Sequence, residues 1–199
     1  MRHFVRLFFV LVLAGCANVP SDYKFTESSD EGLIVGSITY DSSLGLYSLA
    51  VVPLAGTKLP RINVGYAMWP PLGPLTDDAL KARGGTFAVA VPAGAYQVVG
   101  WQITQGYKIT RPSRPVSIPF TVETGKVSYL GNLHFDEDWK VALRDRSERD
   151  LPVLMSRYNS LKTAPLAFTI STGLDIQGLG GDYDSRIVPP GMIFVPIRR

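Results

Sequence analysis

The sequence predicts a mainly β protein, an antiparallel β-sandwich carrying one packed amphipathic helix near residues 150–161. Three observations predict it. From Gly32 onward the chain breaks into short apolar runs rich in Val, Ile, Tyr and Phe, the residue types that suit a pleated, half-buried surface. A turn signal built on Gly or Pro interrupts these runs roughly every ten residues, the spacing of strands in a sandwich. One later stretch alone has a helical period.

In chain order, strands are expected over 33–40, 46–54, 86–91, 96–103, 116–122, 127–135 and 139–143, with later ones over 166–170 and 192–197. Pro92-Ala93-Gly94 joins two of these runs with turn chemistry and predicts a tight hairpin. Residues 69–85 (WPPLGPLTDDALKARGG) read as a longer loop with one short helical turn over 76–82. The helix follows from Leu151, Leu154, Met155, Tyr158 and Leu161, which fall on one apolar stripe. Asp150 is the expected cap, since it leaves Pro152 in the first turn, where its missing N–H does no harm. The alternative cap is Ser147, which with Asp150 makes a capping box but puts Pro152 deeper. The stripe is expected to pack on a sheet.

The first residues are built differently. Arg2 and Arg6 make a positive start, residues 7–13 (LFFVLVL) are unbroken apolar sequence, and Ala14 and Gly15 are small. That order is the plan of an export signal. The apolar run is far short of the roughly 20 residues that span a bilayer. Leu13-Ala14-Gly15-Cys16 resembles the lipobox of bacterial lipoproteins. The resemblance implies recognition of Leu13, Ala14 and Gly15 by a signal peptidase, cleavage before Cys16, a diacylglycerol thioether on that sulfur and acylation of the new amino terminus. Two or three acyl chains hold a protein firmly to a membrane where one holds marginally, each buried methylene contributing about 0.8 kcal/mol. Ala17 is not the aspartate that commonly retains such proteins in the inner membrane, so the resemblance implies an outer-membrane, periplasm-facing anchor.

The expected organisation is a signal peptide over 1–15, the lipidated Cys16 and a flexible tether through residue 31, and a β-sandwich domain over 32–199. The tether (ANVPSDYKFTESSDE) is polar and acidic, and it would reach roughly 50 Å if fully extended. Cleavage leaves 184 of the 199 residues, with 18 basic side chains against 17 acidic once Arg2 and Arg6 are gone. So neutral a surface gives no electrostatic reason to expect nucleic acid. Cys16 is the single cysteine, so no internal disulfide is possible and apolar burial must stabilise the fold.

Within the domain, Gly32-Leu33-Ile34-Val35-Gly36-Ser37-Ile38-Thr39 resembles the opening strand of prealbumin-like, or carboxypeptidase-regulatory-like, β-sandwiches. The run from Gly85 through Pro92-Ala93-Gly94 to Val98 is similar to their later hairpin, and residues 125–135 (GKVSYLGNLHF) to a further strand. The resemblance covers about a third of the chain. It implies an accessory, binding or structural module, and it brings no catalytic residue.

Few residues offer chemistry. After cleavage His134 is the one histidine. On a strand it would face away from Leu133 and Phe135, toward solvent. One histidine and a blocked thiol cannot supply a usual zinc site, so no metal or other cofactor is expected. Asp136, Glu137 and Asp138 read as a solvated turn; a calcium site or a carboxylate acid-and-base pair is the sharper alternative. Gly178 to Asp184 (GLGGDYD) reads as a mobile loop. The segment 144–149 (RDRSER) alternates charge sign, as a solvated helix entrance does, with a docking surface as the alternative. Trp69, beside Pro70 and Pro71, is expected to fold back over one end of the sandwich, with partner binding as the sharper alternative and Trp69 as its candidate residue. The leading expectation is a non-enzymatic, membrane-anchored envelope module with membrane lipid and an envelope protein as partners. An envelope hydrolase and a carrier of a small apolar ligand are the alternatives.

Overall fold

The computed structural model describes residues 18–24, 30–41, 45–54, 62–67, 76–168 and 175–188. The leader, Cys16, Trp69 and the strand expected over 192–197 lie outside the described residues. Two sheets pack face to face as a β-sandwich that does not close into a barrel. Among the described residues no helix is long and apolar enough to cross a membrane.

The first sheet contains β1 (Glu31–Tyr40), β4 (Thr76–Asp77), β5 (Ala82–Pro92), β9 (Val127–Phe135), β10 (Val141–Arg144), β11 (Leu166–Phe168) and β12 (Asp175–Ile176). Its order is β12-β10-β9-β1-β5-β4, and β11 joins the far end of the β9 edge that β10 occupies. β1 and β11 both run parallel to β9, so the sheet is mixed where the sequence led us to expect antiparallel pairing throughout. The second sheet contains β2 (Leu46–Pro53), β3 (Ile62–Ala67), β6 (Gly94–Gln105), β7 (Lys108–Pro112), β8 (Ile118–Val122) and β13 (Tyr183–Ile187). Here the order is β13-β7-β6-β2-β3, with β8 paired to the first half of β6. The hairpin expected at Pro92-Ala93-Gly94 is the β5–β6 corner. Gly94 turns it at φ +157° and the Tyr96 hydroxyl donates to the Pro92 carbonyl at 2.9 Å.

The core lies between the sheets. Ile34, Ile38, Phe87, Leu130 and Leu133 of the first meet Leu49, Val51, Val98 and Ile103 of the second. At one end the Tyr40 and Tyr47 rings stack with centroids 4.5 Å apart, and Phe135 meets the edge of Trp101 at 5.7 Å. A second apolar layer covers the outer face of the first sheet. There α1 (Ser147–Arg157) and the short 3-10 turn after it lay Leu154, Tyr158 and Leu161 on Leu33, Val35, Ala88, Val127 and Tyr129, with Leu151 and Met155 partly buried beside them. Covered on both sides, β1 is buried from Gly32 to Tyr40, the pattern of a strand with no wet face.

Several expectations change. The helix begins at Ser147, earlier than the Asp150 cap implied. Asp150 lies inside it, fully buried, and is held by tertiary hydrogen bonds. Asp145 instead accepts the Ser147 N–H, at 2.9 Å. Residues 76–82 form no helical turn. Asp77 ends β4 and accepts the N–H groups of Ala79 and Leu80, an Asx turn that Lys81 closes at φ +51°. Gly178 to Asp184 is docked: Leu179 is buried, its N–H donates to Val141 and its carbonyl accepts from Trp101 Nε1 at 2.7 Å. Residues 18–24, expected within a tether, form a strap. Asn18 Oδ1 accepts the Ala88 N–H, the Val19 N–H donates to the Ala88 carbonyl, and Val19 is buried under α1. Ala88 turns those groups away from β1, so the strap covers an open edge of the first sheet.

Candidate functional site

Beyond the helix, the same outer face changes character. The outward positions of β1 run Leu33, Val35, Ser37, Thr39; those of β9 run Val127, Tyr129, then Asn132 and His134. The step from 129 to 132 is a bulge. The register shifts between Val35 and Ser37, and Gly131 takes φ +107°. Simple alternation from Val127 would have turned Leu133 outward and His134 into the core. The bulge reverses this, so His134 does face away from Leu133 and Phe135. The face it enters is not open solvent, because the His134 side chain is only 13% exposed.

These residues form one continuous chain of hydrogen bonds. Asp41 Oδ2 lies 3.1 Å from His134 Nε2, and Thr39 Oγ1 lies 2.9 Å from Nδ1. Burial first, and then the Arg144 guanidinium, depress the His134 pKa, although Asp41 pulls the other way. The neutral ring has one N–H. A carboxylate can only accept, so Nε2 donates to Asp41 and Nδ1 accepts from Thr39. Asn132 Nδ2 donates to Thr39 Oγ1 at 3.1 Å and to Ser37 Oγ at 2.7 Å. Ser37 donates to Asp150 Oδ2 at 2.6 Å, and the Tyr129 hydroxyl donates to the same oxygen at 2.8 Å. Burial and the Asp150 charge keep Tyr129 protonated by raising its pKa. Arg149 Nε completes the set on Asp150 Oδ1 at 2.8 Å.

Hydroxyl, imidazole and carboxylate in series resemble an acyl-transfer relay in order. The hydroxyl, however, sits on Thr39, which is 2% exposed and hydrogen-bonded on two sides. Its one proton goes to His134 Nδ1 while its oxygen accepts from Asn132 Nδ2, so the hydroxyl is committed within the chain of hydrogen bonds. The arrangement can fix side chains and present charge.

That charge lines a cleft of about 490 Å³ above Thr39, Asn132 and His134. The sheet order sets its shape, with β9 and β1 as floor, β5 on one side and β10 leading into α1 on the other. Lys81 and Arg83 come from the β5 side; Arg144, Arg146 and Arg149 from the β10 side; Asp41 and Glu137 also line it. Arg146 pairs with Asp175 at 3.3 Å and Arg149 with buried Asp150 at 2.8 Å. Arg83 donates to the Asp41 carbonyl at 3.2 Å. The Arg144 Nε is buried and has no hydrogen-bond partner among the described residues.

The three acids between β9 and β10 occupy a turn. Asp136 closes it by accepting the Lys140 N–H at 2.8 Å, Glu137 lines the cleft, and Asp138 stands 3.9 Å from the Lys140 ammonium. Asp136 and Asp138 thus meet the backbone and the side chain of the same Lys140, and the three acids do not gather on one point. The segment 144–149 departs from a simple solvated entrance, since three of its arginines line the cleft and Asp145 accepts the Ser147 N–H. Sequence reasoning singled out His134 but missed Lys81, Arg83 and Arg144 as its neighbours. The signal for Arg83 lay in the pairing of β1 with β5, and that for Arg144 in the β9–β10 hairpin.

No protein-family model matches the chain, and no curated protein does. A solved leucine-rich repeat protein from Bacteroides thetaiotaomicron VPI-5482 overlaps 56% of this chain at 18% identity and a TM-score of 0.32, and this chain spans 15% of that protein's length. An overlap so slight carries no argument about this chain.

Proposed function

We propose that the chain is a membrane-anchored lipoprotein of the bacterial envelope, a non-enzymatic module that presents its β-sandwich to another envelope component. One observation carries the reading. Leu13-Ala14-Gly15-Cys16 follows a short apolar run and a positive start, and Cys16 is the one thiol in the sequence. The likeness of residues 32–39 and 85–98 to prealbumin-like sandwiches agrees with an accessory role. In this reading the acylated sulfur holds the protein at the outer membrane, facing the periplasm, and Trp69 remains a proposed contact for a partner.

Mass spectrometry of the protein from a bacterial host tests it. The expected amino terminus is Cys16 carrying diacylglycerol and an amide-linked acyl chain. Cys16→Ser should release the protein from the membrane fraction. An intact Met1, or a bare thiol at Cys16, overturns the assignment.

A further inference from the structure

The edge of the second sheet at β13 has a pattern that the anchor does not explain. The strap at Asn18 and Val19 covers an edge of the first sheet, whereas among the described residues nothing pairs with the outer side of β13. Proteins usually guard such edges against another chain. Here all five residues are exposed, and the strand carries a large apolar side chain at each end, Tyr183 at 40% and Ile187 at 81% exposure.

The ladder with β7 decides which backbone groups face outward. The Val188 N–H donates to the Tyr107 carbonyl, and the Asp182 carbonyl accepts from the Ser113 N–H. Antiparallel bonding alternates along a strand, so 182, 184, 186 and 188 turn toward β7, while Tyr183, Ser185 and Ile187 turn their backbone groups to the open edge. Side chains alternate as well. Ser185 Oγ lies 2.9 Å from Thr110 Oγ1 and the Tyr183 ring packs beside Trp139, so the odd positions share one face. Asp184 and Arg186 stand on the other, and among the described residues neither forms an ion pair.

Tyr183-Asp184-Ser185-Arg186-Ile187 is thus symmetric in size and antisymmetric in charge about Ser185. An antiparallel copy centred there sets Asp184 opposite the partner's Arg186 and Arg186 opposite the partner's Asp184. On the other face each Tyr183 meets the partner's Ile187. Opposite charges and apolar pairs facing one another across strands both stabilise the pairing. Other registers fail. An offset of one residue sets outward groups against groups that belong to β7, and an offset of two sets Asp184 on the partner's Asp184 or Arg186 on the partner's Arg186.

We propose that β13 is the seam of a homodimer, in which two copies pair antiparallel about a two-fold axis at Ser185 and join their second sheets into one. The proposal stands on other residues than Cys16, and its failure would leave the anchor assignment untouched.

Sedimentation equilibrium of the full-length chain in a density-matched detergent tests it. A concentration-dependent monomer–dimer equilibrium is expected. Asp184→Arg and Arg186→Asp should each raise the Kd about ten-fold, since attraction turns to repulsion at both symmetry-related pairs. The double variant Asp184→Arg with Arg186→Asp restores opposite signs across the seam and should recover the affinity to within about three-fold. Both side chains are exposed, so folding is not at stake in any of the three. A chain that dimerises no more tightly than about 1 mM overturns the seam, and that outcome includes the case in which its own residues 189–199 take the edge. A dimer that neither single reversal weakens, or that the double reversal leaves weak, overturns it equally.

Discussion

β1 and β9 carry two different surfaces on one face of the first sheet. Their early halves turn Leu33, Val35, Val127 and Tyr129 outward beneath the apolar stripe of α1. Their later halves turn out Ser37, Thr39, Asn132 and His134, and these meet Asp150 from the start of the same helix. The strands, their pairing and the covering helix are shared; only the outward side chains differ. Under the aliphatic half the fit rests on area removed from water, which is non-directional. In the polar half each donor must find its own acceptor, and an error costs the full desolvation of a buried group. One half can therefore absorb a methyl-sized change that the other cannot.

The largest effect should come from the hub of the polar half. Asp150→Ala strands Ser37, Tyr129 and the Arg149 guanidinium together, and a loss of about 3–5 kcal/mol is expected in chemical denaturation. Leu154→Ala, at the fully buried centre of the apolar half, should cost about 3 kcal/mol. Ser37→Ala removes one link and should cost about 1 kcal/mol. Double variants sharpen the contrast. Ser37→Ala with Asp150→Ala should cost less than the two separate losses together, whereas Ser37→Ala with Leu154→Ala should add to within about 0.5 kcal/mol. Strong coupling in the second pair would mean that the halves are not separate.

The smallest effect is one of pH. His134 has its pKa held below 6.5 in the folded protein. The unfolded chain therefore takes up this proton at higher pH than the folded one. The stability contributed by the neutral ring is full above about pH 6.5 and falls as pH drops below it. An imidazole titration should give a midpoint under 6.5, and His134→Gln should flatten the acid-side loss of stability. A midpoint above 6.5 would refute the proton assignment within the chain of hydrogen bonds.

What could be read from the residues follows the same division. The apolar half was legible. A continuous apolar β1 and the stripe from Leu151 to Leu161 each declare a buried face in a local period, and both pack as that period requires. The polar half was not, because its partners are far apart in the chain: Ser37 meets Asp150, and Thr39 meets His134. Asp150 reads locally as a cap, and tertiary burial takes it for another purpose. β13 escaped notice because Tyr183–Ile187 is exposed along its whole length and shows no alternation. β7 was hidden by Lys108, Arg111 and Pro112, which sit on a strand held only by its neighbours. The Gly131 bulge is invisible without the partner strand. Opposite it, a Cβ on Gly36 would lie 2.5 Å from the Gly131 carbonyl oxygen and 2.7 Å from the Phe87 ring, so only glycine fits the crossing.

The strap at Asn18 and Val19 changes the scale on which the whole protein can act. Two peptide links separate Cys16 from Asn18, so their Cα atoms can be no more than about 7.6 Å apart. A freely swinging leash over 17–31 would have let the sandwich sample a hemisphere of roughly 50 Å radius. With Asn18 stitched to Ala88, an acyl group on Cys16, if the proposed anchor holds, would keep the body within a short reach of the lipid surface. Whatever it meets would have to come down to the bilayer.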